Sequence, residues 1–227
     1  GPLAMSGYLL GINMAGSSYA AVITSTYPAI GAVLAVIFLK EKMNPRVWAG
    51  VILCVLGAVI TGYVAPSGNV SPNFYLGIIL SIVAAVGWGL EGVFGAYAMD
   101  VVDPEIAISV RQSASFIMYL IFVLPFIGGF GMFFKAFTAP SIIIFAITGV
   151  ICGVSYITWY LGLSMTGVGR AMALNITYSI WAIIFDGILH GFHFSTNLII
   201  GCLIIVFGAI LVSGNPKEML SLRKVEA

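Results

Sequence analysis

The sequence predicts an all-α membrane protein, and its composition, the length of its apolar runs and the residues between those runs support that fold class. Hydrophobic residues make up 61% of the 227 residues, charged residues make up 7%, and mean hydropathy is +1.13. A soluble globular domain carries about 25% charged residues. The apolar runs approach the roughly 20 residues that a helix needs to cross a bilayer. Clusters of glycine and proline separate them.

The apolar runs predict eight helices in chain order. The first is too short to cross a bilayer comfortably. Asn44-Pro45 separates the third helix from the second, and 66–69 opens the longest polar loop. The predicted helices are 1–15, 17–39, 46–66, 74–98, 105–128, 140–163, 167–190 and 196–214.

The sequence contains an internal repeat. A shift of 151 positions aligns 1–63 with 152–214 without a gap. Two more predicted helices, 74–98 and 105–128, precede the second copy, so the repeat unit has five helices. The identical pairs include Leu10/Leu161, Gly11/Gly162, Met14/Met165, Gly16/Gly167, Ala20/Ala171, Thr26/Thr177, Tyr27/Tyr178, Gly50/Gly201, Val55/Val206, Gly57/Gly208 and Ala58/Ala209.

A unit with an odd number of spans must place its two copies in opposite orientations, which is the inverted-repeat architecture of secondary transporters. Two equal units would make ten helices, of which about eight are present, and on that basis we expect about 75–80 residues before Gly1. The predicted divisions are the last three helices of the first unit, an outer linker, the five-helix second unit and a cytoplasmic tail. They comprise 1–66, 67–73, 74–214 and 215–227.

Basic residues predict the orientation in the membrane. The loop 40–46 contains three Lys or Arg residues, whereas its repeat equivalent 191–197 contains none. Because Lys and Arg accumulate in cytoplasmic loops, we expect 40–46, 99–105, 165–170 and the C-terminus to be cytoplasmic. The predicted location is the plasma or inner membrane, which the chain would cross several times.

Glu91 and Arg111 are charges within apolar runs, where an unpaired charge is costly and marks a candidate site. They lie eleven residues before and nine residues after Val102, at the centre of a turn, so they should reach similar depth on neighbouring helices. Two interpretations stay open. The pair locks the helical hairpin, or Glu91 accepts protons during transport while Arg111 is its exchangeable partner.

Asp186 is the third charge inside an apolar run. Asn175, Tyr178, Ser179 and Asp186 recur at steps of three or four residues, together with Ala182, and form one polar face of a helix. We expect this face to line the bundle interior, with Asp186 as a cation or proton site. The alternative places Asp186 at the outer mouth, wetted by solvent. Tyr27, the repeat equivalent of Tyr178, should lie opposite.

Aromatic residues deep in the predicted spans are further candidates. Most aromatic residues of membrane proteins pack or mark the interface. Trp88, Trp159 and Trp181 fall deeper, so we expect one or more of them to line a cavity and to stack on an apolar or aromatic substrate. The cysteines are Cys54, Cys152 and Cys202; we expect all three to be buried, and their spacing predicts neither a disulfide framework nor a metal site.

Several short patterns together resemble the EamA-type drug/metabolite transporters. Trp88-Gly89, Pro104 and Arg111 are similar to that family's WG…P…R pattern, and Tyr27-Pro28 followed by 38–42 is similar to its helix ending in F-L-x-E. The resemblance implies a ten-helix transporter that works by alternating access on small metabolites. The second copy departs from the pattern, with Ser179 in place of Pro28 and Phe192 in place of Glu41.

The predicted function is secondary transport, with export of small organic metabolites such as amino acids or drugs. The alternative is a truncated, non-transporting membrane fragment or interaction protein. No enzyme motif, cofactor site or nucleic-acid signal is found in the sequence, since net charge is +1 and no phosphate-binding or catalytic pattern occurs. The expected partners are a small-molecule substrate and the lipid bilayer; the sequence leaves formation of a homodimer open.

Overall fold

The computed structural model describes residues 1–62, 72–135, 137–138, 141–190 and 196–213. The regular elements within these ranges are helices. They are α1 (Pro2–Ala15), α2 (Ser17–Thr24), α3 (Tyr27–Phe38), α4 (Pro45–Gly62), α5 (Phe74–Ala98), α6 (Pro104–Met118), a π-helical turn (Tyr119–Val123), α7 (Leu124–Phe126), α8 (Phe130–Lys135), α9 (Ser141–Thr166), α10 (Val168–Asn175), α11 (Tyr178–His190) and α12 (Thr196–Ser213).

Seven helical segments in the described ranges are long and apolar enough to cross a bilayer. α1 has 14 residues and so reaches about 21 Å, short of the roughly 30 Å of hydrocarbon. The prediction of an all-α, multi-pass membrane protein is confirmed. The seven segments are Tyr19–Phe38, Pro45–Gly62, Phe74–Ala98, Pro104–Phe126, Ser141–Thr166, Val168–Phe185 and Thr196–Ser213.

Two predicted helices, 17–39 and 167–190, are each interrupted by a two-residue turn, so the prediction of continuous helices was wrong there. The first turn separates α2 from α3 and the second separates α10 from α11. The hydroxyl of Thr26 donates to the carbonyl of Ile23 at 2.7 Å. Its equivalent, Thr177, donates in the same way to Leu174 at 2.7 Å. Such side-chain bonds compete with the regular helical ladder.

Proline explains only the first of these interruptions. Pro28 has no N–H to donate to the carbonyl four residues earlier, which weakens the helix at that turn. The second copy has Ser179 instead, yet its N–H donates to Ile176, three residues back, at 3.0 Å. The break is therefore kept without the proline. Discontinuous helices of this kind border the substrate site in many transporters with inverted repeats.

The predicted helix 105–128 also changes geometry near its end. The π-helical turn follows α6 and leads into α7, which contains Pro125. A proline in a helix cannot donate to the carbonyl four residues earlier, and its ring crowds that carbonyl. A π-helical turn is one of the usual ways in which a helix absorbs such a defect.

The structure reproduces the 151-residue repeat in its element boundaries. α2 and α10 begin at Ser17 and Val168, and α4 and α12 begin at Pro45 and Thr196. The ends of both pairs differ by the same offset. Before α2 and α10, Gly16 and Gly167 turn the chain with φ of 95° and 81°, values that glycine adopts without the strain that a side chain would cause.

The equivalent helices α4 and α12 pack against each other in opposite directions. A Cβ atom on Gly57 would lie 2.7 Å from the carbonyl oxygen of Gly201, and one on Gly50 would lie 2.8 Å from that of Gly208. Residue numbers therefore rise along one helix as they fall along the other. Midway, the Cys54 thiol lies 3.7 Å from the carbonyl oxygen of Ile205, its repeat equivalent. The two copies are inverted about an axis near this pair.

The outer helix faces are apolar, as lipid contact requires. In α9, Ile143, Phe145 and Val150 are all 59% exposed or more. Cys152 on the same helix is exposed, and Cys202 is intermediate between buried and exposed, so the prediction that all three cysteines are buried was wrong; of them only Cys54 is buried. A cysteine facing hydrocarbon is tolerated because the thiol is a weakly polar group.

The predicted divisions of the chain remain predictions. Much of the linker 67–73 and all of the tail 215–227 lie outside the described residues, as does the loop 191–195.

Candidate functional site

A cavity of about 300 Å³ lies where six helices meet. Seven of the eight residues singled out from the sequence line it, although they come from parts of the chain far apart. α5, α6 and α9 supply one wall, while α3, α10 and α11 supply the other at the two helix interruptions. The lining residues are Tyr27, Trp88, Glu91, Gly92, Arg111, Ser155, Tyr156, Trp159, Met172, Asn175 and Tyr178.

Glu91 and Arg111 form an ion pair at the cavity wall, as the depth argument predicts. Their side chains are 21% and 20% exposed, so water reaches them only in part. The second oxygen of Glu91 accepts a hydrogen bond from the backbone nitrogen of Gly1, and Arg111 donates to the side chain of Gln112 at 2.6 Å. Among the described residues, the buried Nε atom of Arg111 has no hydrogen-bond partner.

Tyr156 lies against the guanidinium of Arg111, whose central carbon is 4.7 Å from the ring centroid. This is the distance of a cation–π contact. Neither Tyr156 nor Ser155 was among the site residues predicted from the sequence. A signal was present, because Ser155 and Trp159 are four residues apart and share one face of α9 with Tyr156.

The opposite wall is built around the helix interruptions. The side-chain amide of Asn175, the last residue of α10, donates to the Tyr27 hydroxyl at 2.7 Å. Tyr27 begins α3 and is 8% exposed. Its ring contacts that of Trp88 edge-on at 6.0 Å, and Tyr8 approaches Trp88 at 5.3 Å. The hydrogen bond joins the two repeats, and the ring contacts fix the indole of Trp88 at the cavity.

The structure describes part of the polar face that was predicted on 175–186. Asn175 and Tyr178 line the cavity, which agrees with an interior position. Tyr178 is 55% exposed and Trp181, one turn further on, is 59% exposed. Asp186 belongs to α11, but its side chain lies outside the described residues. Its assignment therefore stays a prediction.

Met172 closes one end of the cavity and was not anticipated. It is 1% exposed, and its thioether fills the space that Cβ atoms on Gly31 and Gly92 would need. Beyond it lies a dry cluster from α3, α5, α9 and α10 that includes Val93, Leu163 and Val168. The two glycines let three helices converge on one flexible side chain. A spacing pattern along a single helix cannot reveal such a convergence.

The arrangement combines a polar pair with a large aromatic surface. Two tryptophans and three tyrosines border the space, and one carboxylate and one guanidinium neutralise each other at its edge. Such a lining can hold an organic molecule through stacking, and can bind a charged group if one partner of the pair exchanges its ligand. Binding sites for small molecules are typically apolar cavities with a few well-placed polar groups.

Comparisons with known proteins agree with this architecture. The sequence model of the EamA-like transporter family matches residues 1–63 and 75–214. Protein LicB of Haemophilus influenzae is 31% identical over 81% of this chain, and the match covers 61% of LicB. The uncharacterized transporter YetK of Bacillus subtilis is 24% identical over 92% of this chain and 63% of YetK. The chain thus spans less than two thirds of the length of either relative.

A solved structure has the same fold. A crystal structure of a protein with 18% sequence identity matches 99% of this chain and 74% of its own, with a TM-score of 0.72. The match by the family's sequence model covers nearly the whole chain on both sides of the linker, and it confirms the resemblance that the short motifs predicted. The chain belongs to the EamA-like transporter family.

Proposed function

We propose that the protein is a secondary transporter that exports a small organic solute by alternating access. The observation that carries this proposal is the cavity between two inverted repeats, which is bordered by both helix interruptions and contains the Glu91–Arg111 pair. In transporters of this architecture the substrate site lies at the interface of the repeats, near discontinuous helices. The direction that we propose is export, one of the two directions found in the family that the chain resembles.

The cavity supports a substrate with an apolar or aromatic body and a charged group, such as an amino acid or a drug. Its volume of about 300 Å³ is at the small end of the usual range for ligand sites. Trp88 and Trp159 offer stacking surfaces on two different helices. Arg111, which lines the cavity, gives an anionic group a cationic partner.

The orientation we propose keeps the C-terminus in the cytoplasm of a cell whose plasma or inner membrane holds the protein. The basic loop 40–46 supports it through the bias of Lys and Arg towards the cytoplasm. One contact supports this orientation. The Glu41 carboxylate accepts a hydrogen bond from the backbone N–H of Val168, so the connections after α3 and after α9 lie on the same side of the protein. Both were expected on the cytoplasmic side.

A metabolite-export screen tests the proposal. Cells expressing the full-length protein are compared with cells carrying the empty vector, and small solutes are measured in cells and medium. We expect one class of amino acids or organic amines to rise in the medium and to fall in the cells. Identical profiles would favour the alternative, a membrane protein that interacts with partners and does not transport.

Asp186→Asn is expected to reduce transport strongly while leaving membrane insertion intact. Asp186 follows Asn175 and Tyr178 on one predicted helix face. A carboxylate within an apolar span costs several kcal/mol of free energy unless it is paired or faces a wet cavity, which marks Asp186 as a candidate site residue. Transport is measured with the solute found in the screen, and insertion by membrane fractionation. Unchanged transport would remove Asp186 from the site.

A further inference from the structure

The connection between α3 and α4, residues 39–44, belongs to the first repeat and contacts the second. We call it the strap. Its Glu41 carboxylate accepts two backbone hydrogen bonds at the start of α10, from Val168 at 2.8 Å and from Gly169 at 3.3 Å. Met43 lies over the same turn, with its sulfur 2.5 Å from where a Cβ on Gly169 would be. The first amide groups of a helix lack internal partners and carry partial positive charge, so a carboxylate suits them.

The backbone of the strap is held in an unusual conformation. Lys40 has φ of 53°, and it is the one non-glycine residue with positive φ among the described ranges. This turns the chain back at the end of α3, and the N–H of Glu41 donates to Ala35 at 3.3 Å. Left-handed conformations at side-chain-bearing residues persist where surrounding contacts hold them, and they are frequent at switch regions. The contacts that hold Lys40 here include those of Glu41 to α10.

The strap lies at the sealed end of the cavity. Between it and the cavity lie Met172, Leu163 and Val168, which are 2% exposed or less. At the other end, Tyr178, which lines the cavity, is 55% exposed. The structure therefore represents a state that is closed on the side of the strap, and α10 must move away from α3 for that side to open.

The second copy has no carboxylate at the position equivalent to Glu41. The 151-residue offset places Phe192 where the first copy has Glu41, and a phenyl ring cannot accept hydrogen bonds from backbone amides. A Cβ atom on Gly167 would lie 3.0 Å from an oxygen of the Glu41 carboxylate, whereas among the described residues no atom lies within 4 Å of a Cβ atom on Gly16. Two inverted copies with identical contacts would close either side equally well. A contact on one side alone favours the state closed on that side.

We propose that Glu41 is a one-sided latch: its carboxylate holds the start of α10 and must release Val168 and Gly169 before the cavity can open on the side of the strap. Glu41 is a positioning residue, because it does not line the cavity. This inference rests on the proposed function, since a latch requires a pathway to close. It also explains why the two copies differ at this position.

Accessibility of the cavity from each side tests the latch. Ser155 lines the cavity, so Ser155→Cys is introduced after Cys54, Cys152 and Cys202 are replaced by alanine. A membrane-impermeant maleimide is then applied to right-side-out and inside-out vesicles of the full-length protein. Lys42→Cys, on the exposed part of the strap, identifies the strap side. In the parent we expect labelling of Ser155→Cys from the side opposite the strap.

Glu41→Ala is expected to raise the labelling rate from the strap side about tenfold and to lower it from the opposite side, because charge-assisted hydrogen bonds are the strong ones. Glu41→Gln should give an intermediate shift, since its amide oxygen can accept one of the two bonds. Glu105→Ala is the matched control: Glu105 is an exposed carboxylate in the first turn of α6 and makes no bond to α10 in the described structure. It should label like the parent.

Equal labelling of Glu41→Ala, Glu41→Gln and the parent would overturn the latch. So would an equal rise from both sides, which indicates general loosening. If Glu41→Ala fails to fold, the direction of the shift in Glu41→Gln decides. The labelling assay needs no substrate, so it is independent of the export screen. A one-sided shift in labelling together with a failed export screen would contradict the transport proposal alone. Export without a one-sided shift in labelling would contradict the latch alone.

Discussion

Glu91→Ala is expected to abolish transport and to destabilise the protein by about 2–3 kcal/mol, less than the loss of a partner costs a fully buried charge because both side chains are partly exposed. The Arg111 guanidinium would keep the Tyr156 ring and the Gln112 side chain but would lose its only ion-pair partner in the described structure. Stability is measured as the thermal midpoint of the detergent-solubilised protein, and transport with the solute from the screen. Lys135→Ala, at an exposed lysine, should change stability by less than about 0.5 kcal/mol.

The double variant Glu91→Gln/Arg111→Gln separates the two interpretations of the pair. Replacing both ions by neutral groups removes the uncompensated charge, so stability should return to within about 1 kcal/mol of the parent. If Glu91 carries protons, transport stays lost although the protein is stable. Recovery of transport together with stability would show that the pair only locks the hairpin of α5 and α6.

Gly57→Leu is expected to prevent folding, because the contact it would disrupt joins the two repeats. Even the Cβ of Gly57→Ala would lie 2.7 Å from the Gly201 oxygen and 2.9 Å from the Ile205 nitrogen, and these are backbone atoms that cannot rotate away. We expect Gly57→Ala to cost about 2 kcal/mol, in the range of overpacked sites. The measurement is the thermal midpoint and the monodisperse fraction on gel filtration.

The repeat provides a second glycine at which the same packing can be tested. Gly208 is the equivalent of Gly57, and its Cβ would lie 2.9 Å from the backbone of both Gly50 and Cys54. Gly208→Ala should therefore cost about as much as Gly57→Ala. Gly62→Ala is the control on the same helix, because its nearest neighbour is a side-chain atom of Val22 at 3.5 Å, an ordinary contact. A Gly57→Leu protein as stable as the parent would contradict the antiparallel packing of α4 and α12.

Sequence reasoning predicted much of the candidate site because its signals are local. Charges within apolar runs single out Glu91 and Arg111, and equal distance from a turn sets their depth. The same reasoning failed for Met172, which acts through glycines on two other helices. The segments 17–39 and 167–190 were predicted to be continuous helices. Hydropathy does not reveal the two-residue turn in each, because the residues in these turns also occur within helices.

The sequence by itself determined that this chain crosses a membrane several times and that it contains an inverted repeat, because composition and a 151-residue offset are properties of the chain alone. Only the tertiary structure decided how the copies meet and where the cavity closes. The bond from Val168 to Glu41 spans 127 residues and that from Asn175 to Tyr27 spans 148. Contacts between residues so far apart in the chain depend on how whole helices pack against each other. The periodicity of apolar residues within a single helix does not reveal that packing.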